Sequence, residues 1–192
     1  MNHLFPVFLK LENLNTLIVG GGYVGLEKIT TVLVNSPNAN VKMVAPHISD
    51  EIVDFTRQYP NVTLVYKVFE DSDLENIDIV IAGTSIKEVN INVKRAAQSK
   101  KILVNIADTP ELCDFYLSSV VKKGDLKIAI STNGKSPTLA KRLREMFEDI
   151  IPDGTQNLLD NLKAVRDKLK GDFEYKVNKL NEITTVFRNE DK

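Results

Sequence analysis

A single cysteine, Cys113, occurs in 192 residues, so no intrachain disulfide can form. That fits a reducing compartment. Histidine is nearly as scarce, with only His3 and His47. Two histidines and one cysteine make no cluster of zinc-site spacing, and no resident metal is expected. No Ser-His-Asp or Cys-His signature is visible, and Cys113 reads as a small packed hydrophobe. No apolar run approaches the length of a transmembrane helix, which excludes a helical membrane span as the expected fold. The opening Met1-Asn2-His3-Leu4-Phe5-Pro6 is too short in apolar residues for a signal peptide, so the cytoplasm is the expected location. An excess of one charge is also missing: Lys and Arg number 25, Asp and Glu 26, a formal net charge of −1. Neither nucleic acid nor a membrane surface is therefore expected as a partner. Internal repeats and low-complexity tracts are absent too.

What is present is a rhythm. Apolar runs rich in Val and Ile at 16–19, 41–45, 62–66, 77–82 and 102–106 read as strands. Helical patterns at 24–34, 49–58 and 88–99 lie between several of them. This alternation predicts right-handed crossovers and a parallel, doubly wound α/β sheet of the Rossmann kind. A leading segment, Phe5 to Lys10, is expected as a further edge strand. After Asp108 the rhythm changes. Phe115–Val121 and Leu126–Ser131 read as an antiparallel hairpin turned at Lys123-Gly124-Asp125. Ser136 and Pro137 suit the N-cap and first position of a helix over 138–150. Two tail helices are expected, split at Gly171. One carries Leu158, Leu159, Leu162, Val165 and Leu169 on one stripe, the other Val177, Leu180, Ile183 and Phe187. The expected division is a nucleotide-binding domain over 1–112, a small α+β segment over 113–151 and a helical region over 152–192.

The densest signal is Gly20-Gly21-Gly22-Tyr23-Val24-Gly25, directly after the first apolar run. Glycines at 20, 22 and 25 have the G-x-G-x-x-G spacing of a dinucleotide-binding turn. The first permits a sharp strand-to-helix turn, the second lets a pyrophosphate approach, and the third lets helix and strand pack closely. The alternative is a plain tight turn. The acidic ribose partner of the usual fingerprint is missing, since the second strand ends Ala45-Pro46-His47. Backbone near Ala45 and Pro46 is the substitute expected there, and the residues alone leave NAD and NADP both open. His47 reads either as a cofactor contact or as an exposed loop histidine.

Asp108 ends the fifth apolar run, where strand carboxyl ends line the ligand crevice of an open parallel sheet. It reads either as a general base beside a cofactor or as a turn former before Pro110. Lys135, Lys141, Arg142 and Arg144 surround a helix start, which favours anions; a solvated charged face is the competing reading.

Three blocks then fall into one order: FPVFLKLENLNTLIVGGGYVGLEKI, VNIADTPELCDFYLSSVV and IAISTNGKSPTLAKRLRE. Together they resemble the siroheme synthase N-terminal family, which comprises precorrin-2 dehydrogenases that in some members are also sirohydrochlorin ferrochelatases. The resemblance covers residues 5 to about 150, and the tail more loosely. It implies NAD as cofactor, precorrin-2, a reduced tetrapyrrole with eight carboxylates, as substrate, and Fe2+ as a transient second partner. It implies a homodimer formed through the region after the nucleotide domain. Asp108 matches the family's principal catalytic aspartate. Gly20, Gly22, Tyr23, Val24, Gly25, Ala45, Pro46, His47 and Thr84 match the cofactor side. Asn105, Thr132, Asn133, Lys135, Ser136, Lys141 and Arg142 match the substrate side. Two departures stand out: many relatives have acidic residues where this chain has Thr84-Ser85-Ile86, and many have Ala at the place of Gly25. The rival from another class is a regulatory module that binds NAD(H) without turnover.

Overall fold

The computed structural model describes residues 2–171 and 173–184. Five strands, β1 (Asn15–Val19), β2 (Asn40–Ala45), β3 (Val62–Tyr66), β4 (Ile79–Ala82) and β5 (Leu103–Ile106), form one sheet in the order β3-β2-β1-β4-β5. Every pairing in it is parallel. The apolar runs are continuous rather than alternating because both faces of a parallel sheet are covered. On one face Ile18, Met43 and Ile81 pack with Ile29 and Leu33 of α1 (Tyr23–Asn35) and Ile52 of α2 (Asp50–Thr56). On the other, Leu17, Val80 and Val104 pack with Val93 and Ala97 of α3 (Lys87–Ser99). Leu17 and Ile18 are adjacent and both fully buried, one to each face. Each contributes about 1.5–3 kcal/mol by leaving water. The doubly wound α/β expectation holds.

The crossover from β3 to β4 carries only a 3-10 turn, Asp71–Leu74. Asp73 anchors it. Its buried carboxylate accepts from Lys42 Nζ on β2 at 2.8 Å and from the Glu70 N–H at 3.0 Å, and Lys67 Nζ lies at 3.2 Å. Burial pushes this carboxyl up, but those hydrogen bonds outweigh it and hold it below its ordinary value of 3.8.

Two strand expectations fail. Residues Phe5 to Lys10 form no strand; Phe5, Val7 and Phe8 lie exposed, and Pro6 offers no N–H to a ladder. The hairpin begins later than its apolar run: β6 is Ser119–Lys123, paired antiparallel with β7 (Leu126–Ile130). Phe115 and Leu117 are drawn instead against the core on the α1 face of the main sheet.

By its internal contacts the chain forms two compact units, residues 1–118 with 131–136, and residues 119–130 with 137–192. These cut across the three parts expected from the sequence, since residues 113–118 go with the main sheet and the tail with the hairpin. In the second unit α4 (Pro137–Ile150) packs on β6 and β7, and Pro137 opens the helix as expected. The tail forms α5 (Thr155–Lys168) and α6 (Phe173–Ile183), with Gly171 between them. Phe187 of the expected second stripe lies outside the described residues. Among the described residues no helix is long and apolar enough to cross a membrane.

Candidate dinucleotide site

Register fixes the edge of the sheet where β1, β4 and β5 end. Val19 pairs with Ala82, and Ala82 with Ile106. The next N–H groups continue the lacing: Gly83 donates to Val19 O at 2.9 Å and Ala107 to Ala82 O at 2.8 Å. Gly20, Gly83 and Ala107-Asp108 therefore leave the same edge side by side. Two strand spacings, about 10 Å, separate the outer pair.

At the end of β1, Gly20 has φ +116, and a Cβ there would stand 2.7 Å from Gly83 O. At Gly25 a Cβ would run into the carbonyl oxygen of Gly20. The turn and the first turn of α1 thus touch through bare backbone, and alanine at Gly25 would force a shift here. Gly22 is different. It is the residue before α1, and nothing lies within 4 Å of the position of its missing Cβ. Leu26 N–H is the one that reaches back to Gly22 O, so the N–H groups of the first turn before it have no partner within the helix. An open flank beside unpaired N–H groups at a positive helix end is what a pyrophosphate requires, and the residues present fit a dinucleotide.

Tyr23 is exposed at the mouth of this cradle, and Val24 is half-buried with a methyl toward Gly83. The β2 end is locked to the turn. Ser49 N–H donates to Gly21 O at 2.9 Å, and a Cβ on Gly21 would strike His47 O. Ala45 is buried, its carbonyl accepting from Lys67 N–H at 3.1 Å, while Pro46 and His47 are exposed. Thr84 follows Gly83. Its hydroxyl lies 2.8 Å from Asn90 Oδ1, and Asn90 Nδ2 donates back to Thr84 O at 3.0 Å. The sequence reading missed Asn90, a buried residue on α3 that fixes this loop. It also missed Gly83, which a glycine directly after the apolar run 79–82 could have signalled.

At the end of β5, Asp108 is exposed with φ 58, a left-handed backbone that L-residues seldom adopt. Its carboxylate has no hydrogen-bond or ion-pair partner among the described residues. Asn105, expected at the substrate, is buried, and its amide Nδ2 donates to Phe115 O at 2.8 Å. Cys113 is half-buried, and burial pushes its thiol up, so it is protonated at neutral pH.

The 131–136 loop belongs to the same unit. Lys135 N–H donates to Thr132 O at 3.2 Å across Asn133 and Gly134, both with positive φ, a hairpin-type turn. The Thr132 hydroxyl accepts from Ser136 N–H at 3.1 Å and so clips the loop shut. Lys135 is exposed without an ion-pair partner among the described residues. Lys141 and Arg142 are on α4 of the other unit, where both approach Glu145, at 3.9 and 2.9 Å. Among the described residues no three His, Cys, Asp or Glu side chains come together as a metal site.

A parallel sheet of this order, with a glycine turn at its first strand, defines a dinucleotide-binding α/β protein. The chain belongs to the family described as putative NAD(P)-binding, whose sequence profile matches residues 7–119. A second profile, sirohaem biosynthesis protein central, matches residues 123–150. The siroheme synthase of Pseudoalteromonas translucida is 35% identical over 170 residues, 88% of this chain and 35% of the relative. That of Nitrosomonas europaea is 34% identical over 174 residues, 91% of this chain and 36% of the relative. The chain thus spans about a third of the length of these curated relatives. Among solved structures, "SirC, precorrin-2 dehydrogenase" matches with a TM-score of 0.75 and 26% identity, over 94% of this chain and 89% of that one.

Proposed function

We propose that the protein oxidises precorrin-2 to sirohydrochlorin with NAD+. The observation that carries this reading is the likeness to the structure named as a precorrin-2 dehydrogenase, which runs along nearly the whole of both chains. The free carboxylate of Asp108, two strands from the glycine turn, agrees with it. The oxidation removes one hydride and one proton from the macrocycle. NAD+ supplies the hydride-accepting C4 when bound. Backbone N–H groups of the first turn of α1 hold the pyrophosphate, and Gly22 leaves room for it. Asp108 takes the proton, its carboxylate uncommitted to any protein donor. Lys135 offers a cation to a substrate carboxylate from the 131–136 loop.

The test is anaerobic incubation of purified protein with precorrin-2 and NAD+, following sirohydrochlorin absorbance against a control without enzyme. Sirohydrochlorin formed no faster than in that control rejects the reading, and NADH binding without turnover turns it toward a sensor module. Ferrous iron insertion into sirohydrochlorin is a second proposed activity, with Fe2+ as substrate and Asp108 as a transient oxygen ligand; unchanged insertion rate on adding the protein rejects it. A homodimer is proposed on the second unit, whose only buried apolar side chains among the described residues are Val121 and Ala140, while Leu139, Met146 and Ile150 of α4 are exposed. A monomer in sedimentation equilibrium rejects that. The lone Cys113 agrees with a cytoplasmic setting.

A further inference from the structure

The chain leaves β5 at Ile106, makes the loop 107–112 with its 3-10 turn Pro110–Leu112, and comes back at Cys113. Outgoing and returning segments are fastened at three successive residues. Asp114 N–H donates to Val104 O at 2.8 Å, and Asp114 Oδ2 accepts from Val104 N–H at 3.1 Å. Cys113 Sγ accepts from Ile106 N–H at 3.2 Å, and its thiol has the carbonyls of Ile106, at 3.1 Å, and Thr109, at 3.4 Å, within donating reach. Asn105 Nδ2 donates to Phe115 O. Lys94 Nζ on α3, 2.7 Å from Asp114 Oδ1, ties the fastening to the helix layer.

The loop inside this fastening is short, and one of its exposed residues is unusual. Asp108 has a left-handed backbone. Aspartate usually enters that region with its own side chain hydrogen-bonded nearby, but the carboxylate of Asp108 has no such bond among the described residues. Instead Thr109 N–H reaches back to Ile106 O at 3.4 Å, so Asp108 is the third residue of a backbone turn whose two ends are held by the fastening. Burial pushes the Cys113 thiol up, which favours its protonated, donating form.

We propose that Asn105, Cys113 and Asp114 form a clasp that holds Asp108 in its left-handed turn with the carboxylate free, and that they are positioning residues for the oxidation. The inference rests on the catalytic reading of Asp108. It gives Asn105 a place behind the aspartate, through its amide nitrogen.

The test compares Cys113→Ala, Cys113→Ser and Asn105→Ala in the full chain, alone and combined with Asp108→Ala. Turnover of precorrin-2 is followed anaerobically, in single turnovers at high enzyme concentration for the slow variants, beside NADH affinity by fluorescence. The alanine variants lower kcat roughly tenfold or more, since a misplaced group far from the chemistry costs on that scale, and change NADH affinity less than about twofold. Cys113→Ser keeps a short donor and acceptor and recovers most of the loss. In the Asp108→Ala background Cys113→Ala costs nothing further, because there is no carboxylate left to position. Wild-type kcat in Cys113→Ala beside an impaired Asp108→Ala overturns the clasp alone, as does a loss undiminished in the Asp108→Ala background. Wild-type turnover in Asp108→Ala overturns the catalytic reading and the clasp with it. If an alanine variant does not fold, Asp114→Asn decides. It keeps an oxygen for Val104 N–H and weakens the tie to Lys94, so a lower kcat at unchanged NADH affinity supports the clasp and an unchanged kcat overturns it.

Discussion

The ends of β1 and β5 solve one geometric problem in opposite ways. Both strands finish at the same edge, and both are followed by a residue with positive φ, Gly20 at +116 and Asp108 at +58. At β1 the turn is made by leaving side chains out. Backbone meets backbone at Gly20, Gly83 and Gly25, and what remains exposed is a row of N–H groups. At β5 backbone bonds close the turn and side chains brace it, with Asn105, Cys113 and Asp114 bonded to backbone atoms of the strand or of the returning segment. The first arrangement suits an anion, which needs donors and space. The second suits a base, which needs a carboxylate that nothing else uses. The glycine turn carries its geometry in its own backbone, whereas on the proposed reading Asp108 relies on the fastening that Asn105, Cys113 and Asp114 make behind it.

The contrast can be broken at either end. The largest effect is expected at β5: Asp108→Asn lowers precorrin-2 turnover by about 10²–10⁴-fold, the usual span for loss of a general base, with unchanged NADH affinity by fluorescence titration. Asp108→Gly loses the same activity, yet its urea unfolding shows stability unchanged or raised by about 1 kcal/mol, because glycine accepts the left-handed turn. At β1 the signs reverse. Gly20→Ala lowers unfolding free energy by about 2–5 kcal/mol, combining a left-handed backbone cost with an overpacked contact against Gly83, and NADH binding falls with it. Asp73→Asn measures a contact away from both ends and is expected to cost about 1.5–3 kcal/mol at pH 7, the range of hydrogen bonds to a charged group. Since the folded pKa of Asp73 is depressed, its contribution is complete above the unfolded value of 3.8 and is lost as pH falls through the folded value, so wild type and variant converge in acid. The smallest stability effect is at Gly22→Ala. Its flank is open, so the melting temperature moves little, while NADH binding weakens about tenfold, worth about 1.4 kcal/mol, if the flank holds the pyrophosphate.

The same contrast explains what was legible in the sequence. The glycine turn is a local pattern: an apolar run, three glycines at fixed spacing and a helical period occupy twenty contiguous residues, so strand, turn and helix could be read together. The parallel sheet was legible for a similar reason, since burial on both faces writes itself as unbroken Val and Ile. The β5 end has no such period. Phe115 and Leu117 read as the start of a hairpin strand because their apolar character does not say which core they enter; Asn105 and Asp114 draw them to the main sheet. The Thr132 hydroxyl also closes its own loop, a role that no period announces, and Asn90 gave no signal at all. Side chains that bond to backbone atoms a few residues away leave no periodic trace, so position alone left Asp108 undecided and only its resemblance to a family motif singled it out.

The parallel register has a kinetic consequence. Val19, Ala82 and Ile106 stand in one row although more than eighty positions separate the first from the last. Their pairing cannot be reached through hairpins; each contact must close a long loop before it gains anything, which places them among the slow steps of folding. A chain emerging during synthesis would have the glycine turn and α1 early, yet no edge for them to face. The sheet edge that carries Gly20, Gly83 and Asp108 is therefore complete only once β1, β4 and β5 have found one another.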